Sequence, residues 1–361
     1  MTKVSFNNKD RFFYSSLSSS VTEYFEINRL KKTGNSALYS KTVILFLAAI
    51  VLYIVLLLLK MPWEPGILLS GLFGFVLATI GFNVMHDACH GSYSSHKWVN
   101  SALSLTLNAL GGNSFIWKFK HNILHHTYPN VDGIDDDIAK NPLMRQAVTQ
   151  KWLPIHKFQH FYVVVVYAIT SVAWVFFMDF QKYFKRKVLD TPLPKMVIKE
   201  HLIFWLSKFL YLLFYIAIPV SIVGWQKWAL GFVSFNIVMG FTLAIVFQLA
   251  HVVEHTKFEH VPPGGVKRVE NEWAIYQISS TANFATSNVI LSWLVGGLNF
   301  QVEHHLFPRI SHVHYLAINK IVKQKCLQHN ISYNEFPSMI TAVGSHFKMM
   351  KEFGRKPRKV K

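Results

Sequence analysis

Three groups of histidines carry the strongest chemical signal in this 361-residue chain. The first is His86-Asp-Ala-Cys-His90, the second is His121-Asn-Ile-Leu-His125-His126, and the third is Gln301-Val-Glu-His304-His305. Residues four apart share one face of a helix, so His86 and His90 are expected to project together, and so are His121 and His125. Neutral imidazole is a ligand for iron, copper and zinc. Each of the first two groups follows an apolar run, which places the histidines at a membrane edge. A single such pair occurs by chance in many proteins, but three of them point to a metal site.

The number of imidazoles narrows the chemistry. His86, His90, His121, His125, His126, His304 and His305 exceed what one tetrahedral zinc takes in its coordination sphere. The chain has no His-Glu-x-x-His sequence to pair a zinc with a hydrolytic base, and it lacks the Glu-x-x-His spacing of soluble di-iron bundles. An all-nitrogen site for two redox metals points to iron and O2, and to attack on a C–H bond that no side-chain acid or base can break. Three readings follow: a desaturase, a hydroxylase of a lipid or alkane, and a metal-sensing or transport protein with a His-rich cap. The remaining histidines, at 96, 156, 160, 201, 260, 312, 314, 329 and 346, read as surface or packing residues, with His346 exposed.

These groups must be held by membrane helices. Half of the residues are apolar, and several uninterrupted apolar runs reach spanning length, so the chain reads as an integral membrane protein. Spans are expected at about 42–59, 66–85, 201–223 and 229–250, forming two hairpins with short far-side turns at Lys60–Pro65 and Gly224–Trp228. Residues 101–117 are apolar but contain Asn108, Gly111, Gly112 and Asn113, and read as an interfacial or buried helix. Phe161 to Met178 is apolar enough to span. A crossing there would separate the third histidine group from the first two and put Lys182, Lys185, Arg186 and Lys187 outside, against the positive-inside rule. It is therefore assigned to the plane of the interface or to a partly embedded position. The expected architecture is all-α, with four transmembrane helices and a cytosolic helical cap that gathers the histidines. Residues 1–41 form a cytosolic N-terminal segment, 42–350 the membrane domain and 351–361 a basic tail. The chain is expected in the inner, cytoplasmic membrane. Its 37 Lys and Arg against 19 acidic residues read as orientation and attraction to anionic lipid, with no nucleic-acid partner. Cys89 and Cys326 are not expected to pair, in keeping with a reducing cytosolic face.

The three groups, written His-x-x-x-His, His-x-x-x-His-His and Gln-x-x-His-His, resemble the histidine boxes of the membrane fatty acid desaturases. Gln301 at the head of the third box is similar to the front-end group, the Δ6/Δ5 type, and to the bacterial linoleoyl-CoA desaturase-like proteins. The resemblance extends from the first span to about residue 350. It implies two iron ions, O2 as co-substrate, two electrons from an external donor, and a cis double bond in an acyl chain carried by coenzyme A or a membrane lipid. It also implies a kinked acyl tunnel between cap and spans. Many eukaryotic front-end members carry an N-terminal cytochrome b5 domain. Residues 1–41 are too short for one, and His260-Val-Pro-Pro-Gly-Gly265 reads as a turn. The donor is therefore expected to be a separate carrier, a ferredoxin or a free cytochrome b5, docking on a basic face.

Within the resemblance, the family also draws a ligand from just beyond its last span. His251-Val-Val-Glu-His255 stands there, and its two histidines are expected to share a helical face and at least one to complete the shell, His255 slightly favoured and His251 a ligand or a water-bridging neighbour. Gln301 is a further candidate, because an amide oxygen can bind a metal or hold a water. Asp87, Asp135, Asp137 and Glu303 are the carboxylates expected to orient the ligand imidazoles.

Overall fold

The computed structural model describes residues 3–8, 12–138, 141–262 and 264–357; the end of the basic tail lies outside the described residues. The fold is mostly helical. Its main elements are α1 (Phe12–Ile27), α2 (Ser36–Leu58), α3 (Trp63–His90), α4 (Pro154–Lys185), α5 (Ile198–Val223), α6 (Trp225–His251), α7 (Trp273–Ser280), α8 (Gln301–Leu306), α9 (Tyr315–Gln328) and α10 (Met339–Phe353). Strand pairing is confined to two-stranded patches, among them the parallel pair Lys3–Phe6 with Val266–Val269.

Helices α2 to α6 are the five described helices long and apolar enough to cross a bilayer, one more than the sequence reading assigned. The extra one is α4. The apolar run at 161–178 continues without a break into flanking helical turns, so its full length reaches spanning size. The boundaries of α2 follow local chemistry. The Asn35 side chain accepts a hydrogen bond from the Leu38 amide at 3.2 Å and caps the helix. Pro62 and Pro65 stand at the start of α3, where a missing N–H costs nothing.

Helix α3 is the most enclosed of the five, whereas α2 turns Val43, Leu47, Ile50 and Val51 outward, as a lipid-facing helix does. Helix α6 packs against both α3 and α4, and glycines let the backbones meet. A Cβ on Gly74 of α3 would collide with the Phe235 backbone of α6. A Cβ on Gly240 of α6 would lie 2.8 Å from the Ala168 carbonyl oxygen and 2.9 Å from that of Tyr167 in α4. Close backbone approach of this kind is how helices associate where no hydrophobic driving force separates them from lipid. The far-side turns also meet, Lys227 Nζ donating to the Met61 carbonyl at 3.1 Å.

Two stretches beside the expected metal site are π-helical, Gly81–Met85 and Phe119–His125. The i→i+5 pattern of a π-helix changes which side chains share a face, and such segments concentrate at functional sites. Residues 97–118 form short helices with Asn108 and Asn113 buried, as expected of a buried interfacial segment.

Gly240→Val is expected to destabilise the fold by about 1–3 kcal/mol through overpacking of α6 on α4. Thermal unfolding of the detergent-solubilised protein reads the loss. An unchanged midpoint would show that α4 can move away freely.

Candidate metal centre

The three histidine groups converge, the first from the end of a long apolar helix and the other two from shorter elements beside it. His86 and His90 occupy the last turn of α3, and His251 is the last residue of α6. His121, His125 and His126 come from the π-helical segment and the residue after it, and His304 and His305 from α8. All are buried except His90, which is partly exposed.

Two sets of nitrogens emerge. His86, His90, His121 and His304 each offer one within 4.8 Å of the others, and His125, His251 and His305 form a second set at the same tolerance. His126 lies between them, its ring centroid 4.5 Å from that of His304 and 4.4 Å from that of His305. A third group, His121, His125 and Asp137, meets at the same tolerance, and the His121 and His125 rings stack with centroids 5.1 Å apart, as their spacing predicts. The Nε2 atoms of His121 and His126, five residues apart on π-helical backbone, approach to 3.2 Å, while His125 faces His251 and His305.

The expectation that favoured His255 is corrected. Helix α6 ends at His251 and the chain turns, so 251 and 255 do not share a face. His255 is exposed, has φ of 70°, and gives its carbonyl to the Asn334 side chain. His251 is buried, with its ring centroid 4.5 Å from that of His125 and 4.9 Å from that of His305. Gln301, one turn before His305, is buried with an amide nitrogen that has no hydrogen-bond partner.

Ring orientation is set by a surrounding layer of partners. Both oxygens of Asp135 lie 3.1 Å from His125 Nδ1, and an Asp137 oxygen lies 3.3 Å from it. Tyr315 Oη is 3.0 Å from His304 Nδ1, and Gln277 Oε1 is 2.9 Å from His305 Nδ1. Holding Nδ1 turns the lone pair of Nε2 toward the cluster and fixes the tautomer. Tyr315 and Gln277 had no sequence signal, since neither lies in a box nor at a box spacing.

Two of the four carboxylates expected in this role are placed differently. Asp87 bonds to Ser311 and His312. Glu303 accepts from Asn283, Tyr333 and Asn319. Neither has a bond to a ring of the cluster among the described residues, because each sits beside a box histidine on its helix and therefore points to another face. The exposed reading of His346 is also corrected: it is fully buried between the Tyr167 hydroxyl and the Val252 carbonyl.

The electrostatics suit a cation. Burial, followed by the neighbouring imidazoles, holds His121, His126, His304 and His305 well below the ordinary histidine range. For His125, burial pulls the same way, but Asp135 and Asp137 outweigh it and raise the value. The Nε2 atoms of His90, His304 and His305 are buried without any hydrogen-bond partner. Buried polar atoms are rarely left so, and lone pairs facing one another need a shared acceptor of electron density. The residues therefore fit two metal ions bound through neutral nitrogens.

A cavity of about 910 Å³ reaches this cluster, touching His121 and His251. Trp117, Trp174, Leu243, Ala244 and Phe247 line its apolar part, and Lys182, Lys185, Lys187 and His260 stand among its polar lining residues. Lys120, paired with Asp137 at 2.6 Å and Asp136 at 3.5 Å, also borders it.

Fold and site together define an integral membrane protein with a buried histidine cluster, suited to metal ions, beside a partly apolar cavity. The family model for fatty acid desaturase matches residues 61–337, and the chain belongs to that family. It is 32% identical to an sn-1 linoleoyl-lipid 6-desaturase of Synechocystis sp. over 98% of both chains. It is 31% identical to the protein of the same name from Arthrospira platensis, over 99% of this chain and 96% of that one. An acyl-lipid (8-3)-desaturase of Physcomitrium patens is 32% identical over 95% of this chain and 72% of its own. The chain is thus a membrane desaturase, an oxidoreductase of lipid metabolism.

The depressed imidazoles predict a pH dependence with a definite sign. Their folded values lie below the unfolded value of about 6.5, so the folded state binds fewer protons. Stability of the metal-free protein should be full above that value and fall as pH drops through it. Bound metal should be released over the same window, because protons compete for Nε2. Unfolding midpoints and metal content measured from about pH 7.5 down to about pH 5 test this; flat profiles would contradict it.

Proposed function

We propose that this chain is a front-end acyl-lipid desaturase that inserts a cis double bond into an acyl chain lying in the 910 Å³ cavity. The observation that carries the reading is the double set of clustered histidines, of which His90, His251, His304 and His305 keep ring nitrogens without a hydrogen-bond partner and His121 and His251 line a cavity with an apolar part. His86, His90, His121 and His304 would hold one iron, and His125, His251 and His305 the other. His126 stands between them and Gln301 supplies an amide nearby. When bound, the irons supply the O2 activation that removes two hydrogens from an unactivated pair of methylenes. Converting O2 to two waters takes four electrons. The substrate supplies two, and a ferredoxin or cytochrome b5 type carrier supplies the other two. The acyl-lipid names of the relatives favour a membrane lipid over acyl-CoA as substrate.

The protein's own groups prepare the site. Trp117 stacks on His121 with centroids 4.2 Å apart and borders the cavity, so it shields that ring from water. Asp135 keeps the His125 proton on Nδ1. The lysines at the polar end of the cavity suit the phosphate or carboxyl end of the substrate, and the apolar lining suits its hydrocarbon. With the polar end anchored, the distance from that end to the metals sets the double-bond position, which is the logic of front-end selection.

We further infer that α2, α3, α5 and α6 cross the membrane and that α4 does not, leaving the histidines under a cytosolic cap. Both ends of α4 are tied to the segment that serves the metal site. Gln159 exchanges hydrogen bonds with the Arg145 backbone at 2.8 and 2.9 Å, and Lys182 pairs with Asp136 at 2.7 Å. Asp136 also pairs with Lys120, which shares Asp137 with His125. A crossing helix would carry Lys182 to the side of Met61 and Lys227 instead. The basic loops then face the cytosol, as the positive-inside rule requires.

Expression in a host without polyunsaturated lipids, followed by fatty acid profiling, tests the activity. A product two hydrogens lighter, with its new bond on the carboxyl side, is expected; an added oxygen would indicate a hydroxylase. His251→Ala should reduce both desaturation and bound iron to background, whereas His255→Ala should stay near the parent. The reverse order would move the ligand to the turn.

Topology has its own measurement. With Cys89 and Cys326, both buried and unpaired, replaced, Lys97→Cys, Lys185→Cys and Lys320→Cys should label from one side. Lys60→Cys and Gln226→Cys should label from the other. Labelling of Lys185→Cys together with Lys60→Cys would make α4 a fifth crossing.

A further inference from the structure

Lys41, Asp87 and His312 form a buried polar chain beside the metal centre, and none of them belongs to it. Lys41 lies in membrane helix α2, 7% exposed. Its ammonium is 2.7 Å from Asn83 Oδ1, 3.2 Å from the Trp293 carbonyl oxygen and 3.3 Å from His312 Nε2, which accounts for its three protons. His312 Nδ1 lies 3.0 Å from Asp87 Oδ2. The same oxygen accepts from the Ser311 hydroxyl at 2.6 Å and from the His312 amide at 3.3 Å. These partners fix the tautomer: Nδ1–H donates to Asp87 and Nε2 accepts from Lys41. Asn83 is held in turn, donating to the Thr79 and Leu294 carbonyls.

The placement of Asp87 gives the chain a consequence. Asp87 stands between His86 and His90 on α3 and points away from the face those two share. Ser311 and His312 follow α8, which carries His304 and His305. Asp87 therefore ties the helix of the first box to the segment behind the third box, and Lys41 ties that junction to α2 and to the π-helical turn containing Asn83.

We infer that Lys41, His312 and Asp87 act as a positioning clamp that sets the rotation of His86 and His90 against His304, and so the geometry of the four-nitrogen group. This rests on the reading that the group holds a metal. At a membrane-helix position such as 41, an apolar side chain is the inexpensive choice, and buried ion pairs are often replaceable by apolar groups without loss of stability. What a fully hydrogen-bonded charge chain adds is a single arrangement. A ligand set needs that, because it works only within about half an ångström of its productive geometry. Removing one end leaves the others buried and unpaired, and the helix free to rotate.

The test uses the purified, metal-free full chain titrated with Co2+, whose visible absorption reports coordination geometry independently of turnover. The parent is expected to take two Co2+ per chain. Lys41→Met should remain folded by thermal unfolding but bind one of the two ions at least about tenfold more weakly, with an altered spectrum, the size expected when a partner behind a ligand is lost. Asp87→Asn should do the same, and the double variant should be no worse than the worse single one, as for groups acting in one chain. If Lys41→Met fails to fold, His312→Gln is measured in its place against the same expectation. A folded Lys41→Met or His312→Gln protein that binds two Co2+ with parental affinity and spectrum overturns the clamp. A parent that takes up no Co2+ at all overturns instead the metal assignment on which it rests.

Discussion

Imidazole nitrogens held out of water with no hydrogen-bond partner are expensive, on the order of 1–3 kcal/mol for each buried unsatisfied group. The Nε2 atoms of His90, His304 and His305 are of this kind, and they face other rings whose lone pairs point the same way. Such an arrangement does not assemble by local preference. It can persist because the surrounding structure fixes the His125, His304 and His305 rings from behind and because cations bound there would convert the cost into binding energy. Much of the surrounding structure answers that demand: Asp135 on His125, Tyr315 on His304 and Gln277 on His305, with buried residues packed around them.

The membrane helices contribute rigidity rather than mere anchorage. Helices α3 and α6 end in the cluster itself, so His86, His90 and His251 are fixed by long rods whose rotation is limited by packing at Gly74 and Phe235. The two π-helical segments adjust what a regular α-helix cannot. With i→i+5 spacing, His121 and His126 meet over one group while His125, four residues from His121, serves the other.

Charge is distributed to match. The acids near the centre are engaged at once: Asp135 and Asp137 on His125, Asp136 and Asp137 on Lys120, Asp136 on Lys182. The exposed surplus is basic, in keeping with 37 Lys and Arg against 19 acidic residues. A basic surface of this kind has the sign that complements an anionic membrane surface.

The residue types were enough to disclose a membrane protein, a cluster of histidines and a family, because apolar runs and histidine spacing are local properties. They were enough, too, to assign the two hairpins and their short turns. What local pattern could not reach was set by where helices end and how they pack. Helix α6 stops at His251, so His255 falls in a turn and out of the cluster. Asp87 and Glu303 share helices with box histidines but face other neighbours, while Tyr315 and Gln277 reach the rings from elements distant in the chain. The central apolar run of α4 showed spanning length by itself, but not that both flanks are held by Arg145 and Asp136, which is a matter of tertiary contact. Lys41 reads in the sequence as one more membrane-edge lysine. Only the fold brings it to His312, because that contact is a property of three elements packed together and of none alone.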